Sequence, residues 1–214
     1  MAKTVLRSKD LLFRHEGGDT PLFSFEDIAI QQGQHTLLLG DSGTGKTTLL
    51  HLLGGLSKPR SGNVFLGEQD LYQLSDSQLD SFRAKNMGFI FQEAHLLKNL
   101  TIFENIQLSQ YLAGIKRNKT HIMELLDKLQ LIDQAHSYPH QISRGQLHRA
   151  AIARAVVNNP KILVADEPTA ALDDNNTSRV LELLLETAIN QDATLLIATH
   201  DKRVKDNFSN TYHL

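Results

Sequence analysis

The run Gly40-Asp41-Ser42-Gly43-Thr44-Gly45-Lys46-Thr47 combines the residue types needed to hold a polyphosphate. It has the form GxxxxGK[ST]. Its glycines let successive backbone N–H groups turn inward around phosphate oxygens. A helix starting at the end of the run adds free N–H donors and the positive end of its dipole. Lys46 is expected to neutralise the β- and γ-phosphates and the Thr47 hydroxyl to ligate Mg²⁺. Thr48, the next residue, is grouped with them at the nucleotide. A second chemical pair, Asp166-Glu167, closes the apolar run Ile162-Leu163-Val164-Ala165 and precedes Pro168. Ligands bind at the carboxyl ends of strands in open α/β sheets. Asp166 can therefore hold the Mg²⁺ shell, directly or through water, and Glu167 can polarise an attacking water. A third run, Ile142-Ser143-Arg144-Gly145-Gln146, has a serine suited to cap a helix and a glycine whose backbone can approach a phosphate closely.

The elements that must position these residues are legible as patterns. Thr36-Leu37-Leu38-Leu39 reads as a buried strand before the phosphate loop, and Thr48 to Leu53 as the start of a helix after it. Met87 to Phe91 reads as a strand ending at Gln92. Ile162 to Ala165 and Thr194 to Ala198 are further apolar runs. Continuous rather than alternating apolarity predicts a parallel sheet covered on both faces. Residues 5–30 read as strand-rich, with Glu16-Gly17-Gly18-Asp19 as a hairpin tip and Phe23, Phe25 and Ile28 on a strand. Asn63 to Gly67 reads as a short strand and Asp76 to Lys85 as a helix. The stretch from Glu93 to Val157 reads as helical, with Ile122, Leu125, Leu126 and Leu129 on one face. A further helix, Thr177 to Ile189, carries Val180, Leu181, Leu184, Leu185 and Ala188 on one face.

In its third motif the chain resembles the ATP-binding-cassette (ABC) family, whose signature reads LSGGQ at the head of a helix. Ser143, Gly145 and Gln146 match, while Ile142 is a mild change and Arg144 replaces the first glycine. The resemblance covers nearly the whole chain. Gln92 is similar to the family's Q-loop glutamine, which senses Mg²⁺ and water beside the membrane partner. Ala171-Leu172-Asp173 resembles the D-loop, and His200 the switch histidine that touches the γ-phosphate. The family also stacks an aromatic residue on adenine; position favours Phe13, with Phe23 and Phe25 assigned to the core. Phe91 to Leu97, Leu100 to Ile106 and Leu53-Gly54-Gly55-Leu56 resemble the lipoprotein-release, macrolide-export and cell-division cassettes.

The resemblance implies an α/β fold: a RecA-like P-loop NTPase core with an antiparallel β-subdomain, in 1–92 and 158–214, and an inserted helical subdomain in 93–157. It implies an ATPase that binds ATP and Mg²⁺. Two copies would sandwich two nucleotides, each held by one copy's phosphate loop and the other's Ser143 helix. Lys46, Glu167 and His200 would carry the chemistry. An integral membrane permease subunit would dock on Gln92 to about Asn105. The alternative is a cassette of a non-translocating membrane signalling complex, as in cell division.

Bulk composition agrees. Net charge is −2, so no global attraction draws the chain to nucleic acid or anionic lipid. There is no cysteine, which excludes disulfides and thiolate metal sites and fits a reducing cytosol. The histidines are read as mostly isolated, and each is expected to be a solvated surface residue. There is no coiled-coil or zinc insertion of the kind DNA-repair relatives carry, and no second cassette as in ribosome-associated ones. The N-terminus lacks a signal-peptide run, and no segment approaches the ~18 apolar residues of a membrane span. The expected place is therefore cytoplasmic, peripheral on the membrane through a permease, with no direct insertion.

Overall fold

A computed structural model describes residues 3–14, 22–170 and 173–214. In chain order the strands are β1 (Thr4–Phe13), β2 (Phe23–Ser24), β3 (Ala29–Gln31), β4 (Thr36–Leu39), β5 (Ser61–Leu66), β6 (Gln69–Asp70), β7 (Met87–Ile90), β8 (Ile162–Asp166), β9 (Thr194–Thr199) and β10 (Asn210–His213). The α-helices are α1 (Lys46–Leu53), α2 (Asp76–Asn86), α3 (Ile102–Leu112), α4 (Lys119–Lys128), α5 (Arg144–Val156) and α6 (Asp174–Asn190).

The continuous apolar runs become a parallel sheet in the order β10-β4-β9-β8-β7. Every residue of β4 and β9 is buried, as two covered faces require. The register sets Leu39 of β4 beside Thr199 of β9, and Asp166 of β8 beside Ala198. The phosphate loop, the two carboxylates and the residue before His200 therefore leave the sheet at one edge. β10, a polar segment not read as a strand, pairs with β4 and closes this side.

A second sheet is antiparallel, with β1 pairing to β2, β3 and β5, and β5 to β6. Its inward residues, among them Leu6, Leu11 and Ile30, share a core with the adjoining Ile28 and with Leu49, Leu50, Leu52 and Leu53 of α1. α1 is thereby pinned between the two sheets. The strand over Phe23, Phe25 and Ile28 is shorter than its pattern predicts: only Phe23–Ser24 and Ala29–Gln31 pair. The hairpin tip expected at 16–19 lies outside the described residues.

A second core joins α3, α4 and α5, through Ile102, Ile106, Ile122, Leu125, Leu126 and Ile152, to α6 and the other face of the parallel sheet. Residues 93–101 are not helical, against the expectation. The buried Asn105 explains this. Its Nδ2 donates to the carbonyls of Leu97, Leu100 and Thr101, and its Oδ1 accepts from Leu97 N–H at 2.7 Å. α3 then begins at a reciprocal cap between Thr101 and Glu104. α5 lies tight on β7, because a Cβ at Gly88 would stand 2.3 Å from the Ala155 carbonyl oxygen.

Candidate functional site

The loop 40–45 joins β4 to α1 and is shaped by glycine. Gly45 sits at φ 96° as the N-cap residue of α1. That left-handed backbone suits glycine alone. At Gly40 a Cβ would fall 2.7 Å from Thr44 Oγ1 and 2.8 Å from the Leu214 carbonyl oxygen. α1 has no side-chain cap and no acidic residue in its first turn. Its leading N–H groups and its dipole are thus left to an anion. Asp41, Ser42 and Gly43 line the exposed outer rim of the loop, and Thr44 and Thr48 are half-buried.

Lys46 is 6 % exposed. A buried ammonium demands several acceptors. Its Nζ donates to the carbonyls of Gly40 at 2.8 Å and Asp41 at 2.9 Å, and stands 3.8 Å from Glu167 Oε1. Thr47, one residue on, donates through Oγ1 to Asp166 Oδ1 at 3.3 Å. Burial pushes the Asp166 carboxyl above its ordinary range, an effect the Thr47 hydroxyl partly offsets. A hydroxyl and a desolvated carboxylate oxygen side by side form a hard, oxygen-only donor set of the kind Mg²⁺ takes.

Glu167 follows directly and its backbone is unusual. Its φ is 47°, a conformation that residues other than glycine rarely hold. Its N–H donates to the Ala198 carbonyl at 2.8 Å. The carboxylate is fixed at both oxygens: Thr199 Oγ1 donates to Oε2 at 2.8 Å, and His200 Nδ1 lies 2.9 Å from Oε1. Lys46, Thr47, Asp166, Glu167 and His200, read separately along the chain, meet here. Thr199 belongs with them and sequence reasoning passed over it. Its signal was a hydroxyl at the buried end of an apolar strand, immediately before the histidine.

The remaining candidates sit elsewhere. Ser143 accepts from Gln146 N–H at 3.2 Å and its own N–H donates to Gln146 Oε1 at 2.9 Å, a reciprocal cap that starts α5. Gly145 is exposed with open space where a Cβ would point. Gln92 is exposed just beyond β7, in a groove of about 970 Å³ that Arg144, Gly145 and His148 also line. Asp173 caps α6 by accepting from Asn176 N–H at 2.9 Å. That bond, with the Asn176 side-chain amide, holds its carboxyl below the usual range. Ala171 and Leu172 lie outside the described residues. Phe13 is half-buried and pairs across the sheet with Phe23. Phe25 is core, as expected. Phe23 is only half-buried, stacks on Phe25 at 5.9 Å, and its ring stands 3.2 Å from where a Gly45 Cβ would be. It buttresses the phosphate loop as well as the core.

The solvated-histidine expectation fails at several of the described positions: His51 is half-buried, and His121 is half-buried with Nε2 3.2 Å from the Val157 carbonyl. His35 is half-buried and its Nδ1 accepts from Leu195 N–H at 3.1 Å. His148 is also substantially covered, with no hydrogen-bond partner at Nε2, and burial lowers its pKa.

A profile of the family described as "ABC transporter" matches residues 26–170. The chain belongs to that family. It is an ATP-binding, ATP-hydrolysing cassette subunit with the α/β P-loop fold of the group. Among its relatives is the lipoprotein-releasing system ATP-binding protein LolD of Buchnera aphidicola, 40% identical over 178 residues, covering 82% of this chain and 78% of that protein. LolD of Geobacter metallireducens is 37% identical over 215 residues, covering 99% and 96%. A solved dimeric ATP-binding cassette in a post-hydrolysis state, bound to ADP and Pi, superposes with a TM-score of 0.85 at 30% identity, covering 98% of this chain and 94% of that one.

Proposed function

We propose that two copies of this chain close around two ATP–Mg²⁺ and that the closure drives an integral membrane permease of the lipoprotein-releasing kind. The observation that carries this reading is the convergence of Lys46, Glu167, Thr199 and His200 at one sheet edge. The LolD relatives support the kind of permease, and the dimeric cassette supports the pairing of copies. Among the described residues no helix is long and apolar enough to cross a membrane. The chain would work at the cytoplasmic face through its permease, docked on Gln92 and the following residues to about Asn105. In this division of labour, 93–157 is the helical subdomain and the rest is the core with its β-subdomain.

The residues then take these roles. The backbone of Gly40 to Gly45, with Lys46 and Thr48, cradles the phosphates. Phe13 stacks on adenine. Thr47, Asp166 and Gln92 would hold Mg²⁺, which when bound would offset the phosphates' negative charge. Glu167 orients and deprotonates a water for in-line attack on the γ-phosphorus, and the bond to the leaving β-phosphate oxygen breaks. His200, beside the same carboxylate oxygen, contacts the γ-phosphate. Ser143, Gly145 and Gln146 complete the opposing copy's site, with Asp173 at the seam. Cations and N–H donors fixed in advance towards developing charge are usually the largest single contribution to catalysis at such a site.

The test is the molecular mass of the Glu167→Gln variant by light scattering, with and without ATP–Mg²⁺. A shift from one copy to two on adding nucleotide is expected. A mass unchanged at saturating nucleotide would refute the sandwich.

A further inference from the structure

A hydrogen-bonded path leads away from the Glu167 carboxylate. Thr199 Oγ1 donates to Glu167 and accepts from the backbone N–H of Asp201 at 3.1 Å. The Asp201 carboxylate is largely covered, with an 11 % exposed side chain, and it is gripped by Arg203. Its Oδ1 accepts from Arg203 N–H at 3.0 Å and Nε at 2.8 Å, and its Oδ2 accepts from Nη2 at 2.7 Å. The remaining arm, Nη1, reaches Asp174 Oδ1. Asp174 is the first residue of α6, directly after the cap residue Asp173.

One planar guanidinium therefore joins the turn after β9 to the first residue of α6, more than twenty residues back along the chain. Its geometry suits the task. Nε and Nη2 present parallel N–H groups to one carboxylate, while Nη1 points to a second. An exposed ion pair of this kind adds little to global stability. Its effect lies in fixing geometry: the turn that carries His200 is referenced to the start of α6.

We propose that Arg203 is a positioning residue that locks the Thr199–Asp201 turn to the head of α6, so that Glu167, His200 and Asp173 hold one fixed geometry. This rests on the roles assigned above to Glu167 and His200. A reacting group misplaced by an ångström costs up to ~10²-fold in rate. Loosening one tether is expected to cost about tenfold.

The experiment is steady-state ATP hydrolysis by Arg203→Ala, Asp174→Ala, the double variant and Arg203→Lys, with Glu167→Gln measured alongside. Each single alanine variant should lose about tenfold in kcat with KM within about twofold, because the tether touches no phosphate. Thermal midpoints should stay within about 2 °C of the parent. The double variant should be no slower than Arg203→Ala, since both remove the same link. Arg203→Lys keeps the charge but not the fork and should stay slow. Parent-like kcat in Arg203→Ala, multiplying losses in the double variant, full recovery with lysine, or a rate loss that tracks a lower midpoint would each overturn the proposal. If Glu167→Gln hydrolyses at the parent rate, the underlying catalytic reading has failed instead. If Glu167→Gln is inactive while Arg203→Ala is not slowed, only the tether has failed.

Discussion

Replacing Glu167 with glutamine removes a charge while keeping the shape, and its neighbours allow two opposite effects to be sized. The rate effect comes from losing the group proposed above to take the water's proton. General-base and electrostatic contributions of one aligned residue are worth ~10²–10³-fold or more. That is about 3–4 kcal/mol on the barrier. The binding effect has the other sign. Lys46 Nζ stands 3.8 Å from Glu167 Oε1. At that separation two unit charges attract by about 4 kcal/mol for an effective dielectric near 20. Most of that is cancelled by desolvation and screening, leaving about 1 kcal/mol of competition for the lysine. With the carboxylate gone, a polyphosphate meets a less neutralised cation, and ATP should bind about fivefold tighter. The assays are single-turnover phosphate release at saturating ATP and calorimetric titration of ATP–Mg²⁺. Turnover within about tenfold of the parent would refute Glu167 as the base. Weaker ATP binding would refute the competition for Lys46 even if turnover collapsed.

Phe13→Ala should weaken ATP by the loss of one stacking partner, about 1–3 kcal/mol, while the fold persists; unchanged calorimetric affinity would move the adenine contact to Phe23 or elsewhere. Gly88→Ala should lower the thermal midpoint by about 5–10 °C, because a Cβ there lies 2.3 Å from the Ala155 carbonyl oxygen and overpacking costs about 1–3 kcal/mol or more. A midpoint equal to the parent's would show that α5 yields freely. His35 should make stability fall in mild acid. Burial lowers its folded pKa below the unfolded value near 6.5, so its contribution is whole above about pH 6.5 and is lost as pH falls through the folded pKa. His35→Asn keeps an acceptor for Leu195 N–H and does not titrate, so its midpoint should depend less on pH from 7 to 5; equal slopes would refute this.

How much the amino-acid pattern reveals differs by element, for physical reasons. The runs at Thr36, Ile162 and Thr194 predict buried parallel strands because a strand that is apolar on both faces must be covered on both. β10 escapes because Asn210-Thr211-Tyr212-His213 is a half-exposed edge with no apolar run; its pairing with β4 defines it. Residues 93–101 escape for a different reason. Their composition permits helix, and only Asn105, buried and bonded to four backbone groups of the loop, makes a non-helical path stable. At the site, Lys46, Thr47, Asp166 and Glu167 are legible because short motifs fix their local geometry. Thr199 and Arg203 are not, because their importance lies in contacts 32 residues back along the chain for Thr199 to Glu167 and 29 for Arg203 to Asp174.

Glu167 is where local rules and structure part most clearly. It precedes Pro168, and a residue before proline is steered towards extended backbone with negative φ. Its φ is 47° instead. Such a conformation costs about 1–3 kcal/mol and survives only where surrounding contacts over-determine it. Those contacts are present. The Glu167 N–H is bonded to Ala198, its carbonyl accepts from Ala170 N–H at 3.2 Å, and its carboxylate is held by Thr199 and His200. The kink stops β8 at Asp166 and turns the next carboxylate across the sheet edge towards β9 rather than onward along the strand. Two adjacent acids are thereby separated in role. Asp166 stays against Thr47, in position for a cation. Glu167 faces Lys46 and His200, where the proposed mechanism places the attacking water. An unstrained extended Glu167 would alternate its side chain to the other face of the strand and lose that company. The conflict between sequence preference and backbone thus falls on the residue proposed as the base, as expected of a site whose geometry is sustained by its neighbours.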